Sequence, residues 1–137
     1  MGQASALIER YRQVFEGGDV AAVGRAMDEL AADDFVQEWP QSGERIRGIE
    51  NVRKLNEMYG SATGTSPKAS VRRIIEAGDG FVVEGTIDYG DGTPVSYIAI
   101  GEVRDGKLTK MTEYFANPFE APAWRAHLVE RMEPVAV

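Results

Sequence analysis

Few residues in this chain have the chemistry to act on a ligand, and Glu113 is the sharpest of them. It sits in Lys110-Met111-Thr112-Glu113-Tyr114-Phe115. A strand sends alternate side chains to opposite faces, so Met111, Glu113 and Phe115 share one face. Lys110, Thr112 and Tyr114 share the other. A carboxyl group set between Met and Phe is shielded from water, a condition that suits general acid or base work. The competing reading is structural: Glu113 pairs with a buried Arg or caps a backbone group.

A second cluster lies in Asp33-Asp34-Phe35-Val36-Gln37-Glu38-Trp39-Pro40. As a strand it points Phe35, Gln37 and Trp39 to one side and Glu38 away from them. Trp39 offers a flat apolar wall and one N–H donor, and Gln37 can hold a carbonyl or a water. The plainer alternative is a core Trp with Gln37 bonded to the next strand. Tyr11 either donates to a ligand oxygen or packs with its hydroxyl at the surface. Tyr97 has small neighbours on its strand face, Ala99 and Gly101, which leave room beside it. Tyr59 and Met58 close a helix where a pocket mouth would lie, and both also fit a core. Arg45 and Arg47 read as a solvated edge, with Arg47 alternatively tied to Glu113 or Glu50.

Other chemistries are excluded or disfavoured by composition. There are no cysteines, so thiolate catalysis, disulfides and cysteine-ligated zinc are out. The one histidine, His127, has no ligand-spaced partners, and no metal site is expected. The Gly-Asp-Gly and Asp-Gly links are hairpin turns, not phosphate loops. The formal charge is −7, which repels nucleic acid. No apolar run approaches the ~20 residues of a membrane span, and the N-terminus shows no signal-peptide pattern. The expected address is the cytoplasm.

The elements that must position these residues follow from periodicity. The 137 residues fit one domain, with a core over about 4–118 and a helical tail over 119–137. Leu7, Ile8, Tyr11, Val14 and Phe15 mark a first helix closed at Gly17-Gly18. Asp19 reads as the N-cap of a second, carrying Val20, Val23, Met27 and Leu30. A strand from Phe35 to Trp39 turns at Gln41 to Gly43 into Glu44 to Arg47. A third helix follows Gly48 and ends at Gly60, and Ser61 to Lys68 reads as a mobile loop. Four strands come next: Val71 to Ala77, Phe81 to Tyr89, Val95 to Arg104 and Lys107 to Ala116, on glycine-containing links. Trp124, Leu128 and Met132 share a helical face that should fold over a sheet edge. This is an α+β chain in which a curved antiparallel sheet forms a cone around three N-terminal helices.

With Glu9-Arg10-Tyr11, Gly18-Asp19, the Asp34-to-Gly48 stretch, Gly106-Lys107-Leu108 and Glu113-Tyr114-Phe115, the chain resembles the SnoaL-like polyketide cyclase group of the nuclear transport factor two-like superfamily. The resemblance implies a cone-shaped α+β barrel and a homodimer built through the outer sheet face. That face would carry Glu84, Thr86, Ile98, Ile100, Thr112 and Tyr114. The superfamily spans isomerases, cyclases, hydrolases, dehydratases and binding domains, so fold alone does not choose the activity. Ketosteroid isomerases align their helix-one tyrosine with Tyr11. Their aspartate base falls on Trp39 and their protonated acid near Ala99, so one of three positions is kept. The aspartate–arginine–aspartate set of limonene-type epoxide hydrolases is not apparent, and the His–Asp pair of scytalone-type dehydratases is missing.

These readings together give a pocket lined by Tyr11, Gln37, Trp39, Tyr59, Tyr97, Met111, Glu113 and Phe115. It would take a small, apolar, oxygenated molecule. Without a cofactor, Glu113 would move a proton while Gln37, Tyr11 or the Trp39 N–H held an oxyanion. The products would be those of isomerisation, cyclisation or dehydration. The alternative is a non-catalytic ligand-binding or dimeric assembly module with a structural Glu113.

Overall fold

The computed structural model describes residues 5–17, 20–65 and 67–133. Helix α1 spans Ser5–Gly17 and α2 spans Val20–Leu30. Leu7, Ile8, Tyr11 and Phe15 fall on one side of α1 and are buried, as their three- and four-residue spacing requires. The expected cap at Gly18-Asp19 and the side chains of Val20 and Val23 lie outside the described residues. Strand β1 starts at Ala31, directly after α2, and runs to Trp39. It is longer than the Phe35 start that periodicity gives, because Asp33 and Asp34 interrupt the apolar pattern while the backbone stays extended.

Strand β2 covers Glu44–Arg47 and α3 covers Ile49–Thr63. The expected helix end at Gly60 is displaced. The helix runs through that glycine, and the left-handed exit is taken at Gly64, with φ 72°. The Ser61-to-Lys68 loop is correspondingly shorter: Ser61 to Thr63 are helical and Lys68 opens β3. Strands β3 (Lys68–Ala77), β4 (Gly80–Asp88), β5 (Val95–Arg104) and β6 (Lys107–Ala116) complete one six-stranded sheet. Its order is β2-β1-β6-β5-β4-β3.

All neighbours are antiparallel except β1 and β6, which run parallel. That departs from the purely antiparallel sheet expected. It follows from geometry, because β1 and β6 are joined through most of the chain rather than by a hairpin. Irregular register between Val71 and Arg73, between Glu102 and Val103, and between Ala31 and Val36 bends the sheet. The helices lie against its inner face, α1 on β3 and α3 on β1. Phe35, Phe81, Val83 and Leu108 are fully buried there. Each such side chain contributes about 1.5–3 kcal/mol through burial.

The tail departs from expectation. A 3-10 helix spans Ala123–Leu128 with no buried residue. Trp124, Leu128 and Met132 are 71, 73 and 74% exposed, so they do not cover a sheet edge within this chain. Among the described residues no helix is long and apolar enough to cross a membrane.

Candidate functional site

Register brings the site together. On β5 and β6, Ala99 stands opposite Glu113, Tyr97 opposite Phe115 and Gly101 opposite Met111. On β1, Gln37 pairs with Met111 and Glu38 with Thr112. Alternation then turns Gln37 and Trp39 to the same side as Glu113, and Glu38 to the other. Ala99 fills little of the space beside Glu113, so donors from two flanking strands reach it.

Three donors meet the carboxylate. Trp39 Nε1 donates to Glu113 Oε1 at 2.8 Å, and Gln37 Nε2 donates to the same oxygen. The Tyr97 hydroxyl donates to Oε2. Tyr11 lies next to this group: burial, the Glu113 charge and the Tyr97 hydroxyl all act on its phenol. Tyr11 is 2% exposed, which removes the reading that puts its hydroxyl at the surface.

The structural alternatives for Glu113 are also not what the fold presents. No arginine pairs with it among the described residues, and its partners are neutral side chains rather than backbone groups. Arg47 does not tie the turn to Glu113; Glu50, its other suggested partner, pairs with Arg53. Glu38 faces outward and is held by Arg45 at 2.6 Å and Lys110 at 3.1 Å.

Above Glu113 opens a cavity of about 140 Å³. Tyr11, Gln37, Trp39, Tyr59, Tyr97, Met111, Glu113 and Phe115, the eight residues singled out by sequence, all line it. Met58 does not; it is 63% exposed. Sequence reasoning missed Phe15, Met27, Asn56, Pro67 and Tyr89, which line the cavity as well. Phe15 follows Tyr11 by one helical turn, and Tyr89 follows Ile87 by one strand repeat, so spacing held the signal for those two. Asn56 had none. It enters because α2 carries Gly24, where an added Cβ would lie 2.5 Å from Asn56 Nδ2.

The aromatic rings form a continuous wall. Tyr11 stacks on Phe15 at 5.3 Å between centroids, Phe15 on Tyr97 at 5.7 Å, and Tyr97 tilts against Phe115 at 5.3 Å. These separations are those at which ring pairs attract. Burial, then the Glu113 charge, raises the phenol pKa of both Tyr11 and Tyr97. Tyr89 is raised by burial first, then by Tyr59 and Glu113. All three phenols therefore stay neutral at physiological pH and serve as donors, not bases. No lysine, arginine or histidine is among the described residues that line the cavity. Among the described residues, no cluster of three or more His, Cys, Asp and Glu could hold a metal ion.

The arrangement can bind an apolar molecule and present one carboxylate to its polar end. Comparison with known proteins places the fold. The family model described as "SnoaL-like domain" matches residues 8–111. An NTF-2-like protein of unknown function from Burkholderia xenovorans LB400 is 32% identical, with 96% of each chain covered and a TM-score of 0.73. A "putative ketosteroid isomerase" from Kribbella flavida DSM 17836 is 29% identical over 96% of this chain and 91% of that one, with a TM-score of 0.78. A "putative SnoaL-like polyketide cyclase" from Jannaschia sp. CCS1 is 18% identical over 82% of this chain and 85% of the other, with a TM-score of 0.65. The search of curated proteins found no match. With its cone of six strands over three helices and a family model matching well over half its length, the chain belongs to the SnoaL-like domain family of the nuclear transport factor two-like superfamily.

Proposed function

We propose that this chain is a small-molecule pocket protein in which Glu113 receives the polar end of a mainly apolar ligand. The observation that supports it most is the carboxylate itself, which faces an aromatic cavity and is held by Gln37, Trp39 and Tyr97. A carboxylate offers about four acceptor positions, so three donors leave one for a ligand. The cavity size bounds that ligand. Dry cavities of ~150 Å³ lined by Leu, Ile and Phe hold benzene, so about 140 Å³ suits one ring or a compact branched group. A four-ring molecule would extend beyond the cavity.

A second reading is cofactor-independent catalysis: isomerisation, aldol-type cyclisation or dehydration with Glu113 as proton acceptor. It is favoured by the lack of a cation among the described residues that line the cavity. The Kribbella and Jannaschia structures carry names of that chemical kind. Tyr97 would steady the carboxylate, and Gln37 or the Trp39 N–H would turn to a developing oxyanion. The three donors already on Glu113 favour binding without turnover, so the two readings are separated by experiment. A panel of single-ring alcohols and of the corresponding ketones and enones should raise the melting temperature of the wild type, and failure of all of them would remove the reading of a neutral ring in the pocket. Exchange of their α-protons in D₂O, followed by NMR, should be faster with the wild type than with Glu113→Gln if the chain is catalytic. Equal rates would leave binding alone.

The same proposal places the chain in the cytoplasm as a homodimer. Ile98, half-buried, and Ile100 and Tyr114, each 40% exposed, sit on the outer face of β5 and β6 and would form its seam. Thr86, expected there as an exposed contact, is 4% exposed and buried within this chain.

A further inference from the structure

Among the described residues, no cation balances the charge of the cavity. Gln37, Trp39 and Tyr97 solvate the Glu113 carboxylate without cancelling its charge, because all three are neutral donors. No lysine, arginine or histidine is among the described residues that line the space. The chain handles an outward carboxylate differently, since Glu38 has two cations within 3.1 Å. A partly buried charge with no counter-ion among the described residues costs free energy to keep, and such charges are ordinarily paired.

What surrounds Glu113 is suited to supplying that partner from outside. Trp39, Tyr59, Tyr89, Tyr97 and Phe115 line the same cavity. Aromatic faces carry the negative part of the ring quadrupole and attract cations, most strongly when water is excluded. A carboxylate and these five aromatic side chains lining one cavity both favour positive charge and both disfavour a ligand carboxylate or phosphate. A neutral alcohol could donate to the fourth acceptor position and a ketone could only fill the apolar space, and neither would cancel the charge.

We propose that the cavity takes a small organic cation, a protonated tertiary amine or a quaternary ammonium head group, with Glu113 as counter-ion and the faces of Trp39, Tyr97 and Phe115 around it. This rests on the reading that the cavity binds a small molecule, and it needs no turnover. The volume of about 140 Å³ suits a trimethylammonium-sized group, with any longer substituent leaving by the mouth.

The test is isothermal titration of the wild type with choline and with its uncharged isostere, in which carbon replaces nitrogen. The two have nearly the same shape, so they separate charge from apolar burial. Choline should bind at least about tenfold more tightly than the isostere, a difference of ~1.4 kcal/mol. Glu113→Gln, checked for cooperative melting, should abolish that preference, and tetramethylammonium should compete with choline. Equal or tighter binding of the isostere would overturn the cation assignment and leave the pocket reading standing. Binding of neutral rings without binding of choline or tetramethylammonium would overturn it in the same way. Failure of every cation, the isostere and the neutral rings alike would overturn both. The comparison of choline with its isostere on the wild type decides the question even if Glu113→Gln fails to fold.

Discussion

Glu38 and Glu113 lie on adjacent strands of one sheet and face opposite ways. Glu38 points outward, pairs with Arg45 and Lys110, and has its pKa lowered first by Arg45. Glu113 points inward, meets only neutral donors among the described residues, and shares its cavity with a wall of rings. The same side chain is thus compensated by cationic side chains on one face and by neutral donors on the other. An exposed ion pair gains little, because water and salt already screen both charges. A shielded anion with fixed donors keeps its field and is available to a ligand. The outer carboxylate belongs to the surface, whereas the inner one has the features of a site.

The contrast can be broken most severely through the core that supports the inner face. Phe35 is fully buried beside Gln37 and Trp39 on the inward side of β1. Phe35→Ala should cost about 3–5 kcal/mol, read by urea unfolding. A loss near that of an exposed residue would show that the inner face is not close-packed. Tyr97→Phe comes next. It removes the donor to Glu113 Oε2. The expected loss is about 1–3 kcal/mol in the same assay. An unchanged midpoint would mean Tyr97 does not hold the carboxylate in solution.

Alkaline pH gives a third probe. The folded pKa values of Tyr11 and Tyr97 are raised above the ordinary 10.0, first by burial and then by Glu113. The folded state therefore holds these protons more tightly than the unfolded chain. Their contribution is complete below pH 10, and stability falls as pH rises beyond it, because the unfolded chain ionises first. Phenolate absorbance should show a class of tyrosines that titrates only as the protein unfolds. Full titration of all five tyrosines near pH 10 in folded protein would contradict this. On the outer face, Ile100→Glu should convert a dimer to monomers in sedimentation; a wild type already monomeric at micromolar concentration would remove the dimer proposal. The smallest effect is expected for Glu38→Gln, whose melting temperature should stay near that of the wild type at physiological salt. A large drop there would erase the distinction between the two faces.

Much of the architecture was legible because its signals are local. Period-two alternation marked β5 and β6 at their observed ends, and glycine-containing links marked the hairpins. The boundary errors came where two local rules conflicted. Gly60 reads as a helix stop, yet α3 continues to Thr63, where the Thr63 hydroxyl donates to the Tyr59 carbonyl, and Gly64 takes the positive φ. The tail shows helical spacing at Trp124, Leu128 and Met132, but spacing states which residues share a side and not whether anything meets that side. Within the site, alternation alone grouped Gln37 with Trp39 and Met111 with Glu113 and Phe115. It could not say that the two groups meet, since that depends on the parallel pairing of β1 with β6.

What the sequence by itself determined was most of the list of elements, the residues of each site strand that share a face and the identity of a candidate carboxylate. Those follow from periodicities of two and of three to four residues, which need only neighbours along the chain. The tertiary structure decided which partner that carboxylate has. An arginine, a backbone group and a cluster of neutral donors were all compatible with Glu113 in its strand. Only the long-range register of three strands put Gln37, Trp39 and Tyr97 on it, and left Arg45 and Lys110 to the outward carboxylate of Glu38.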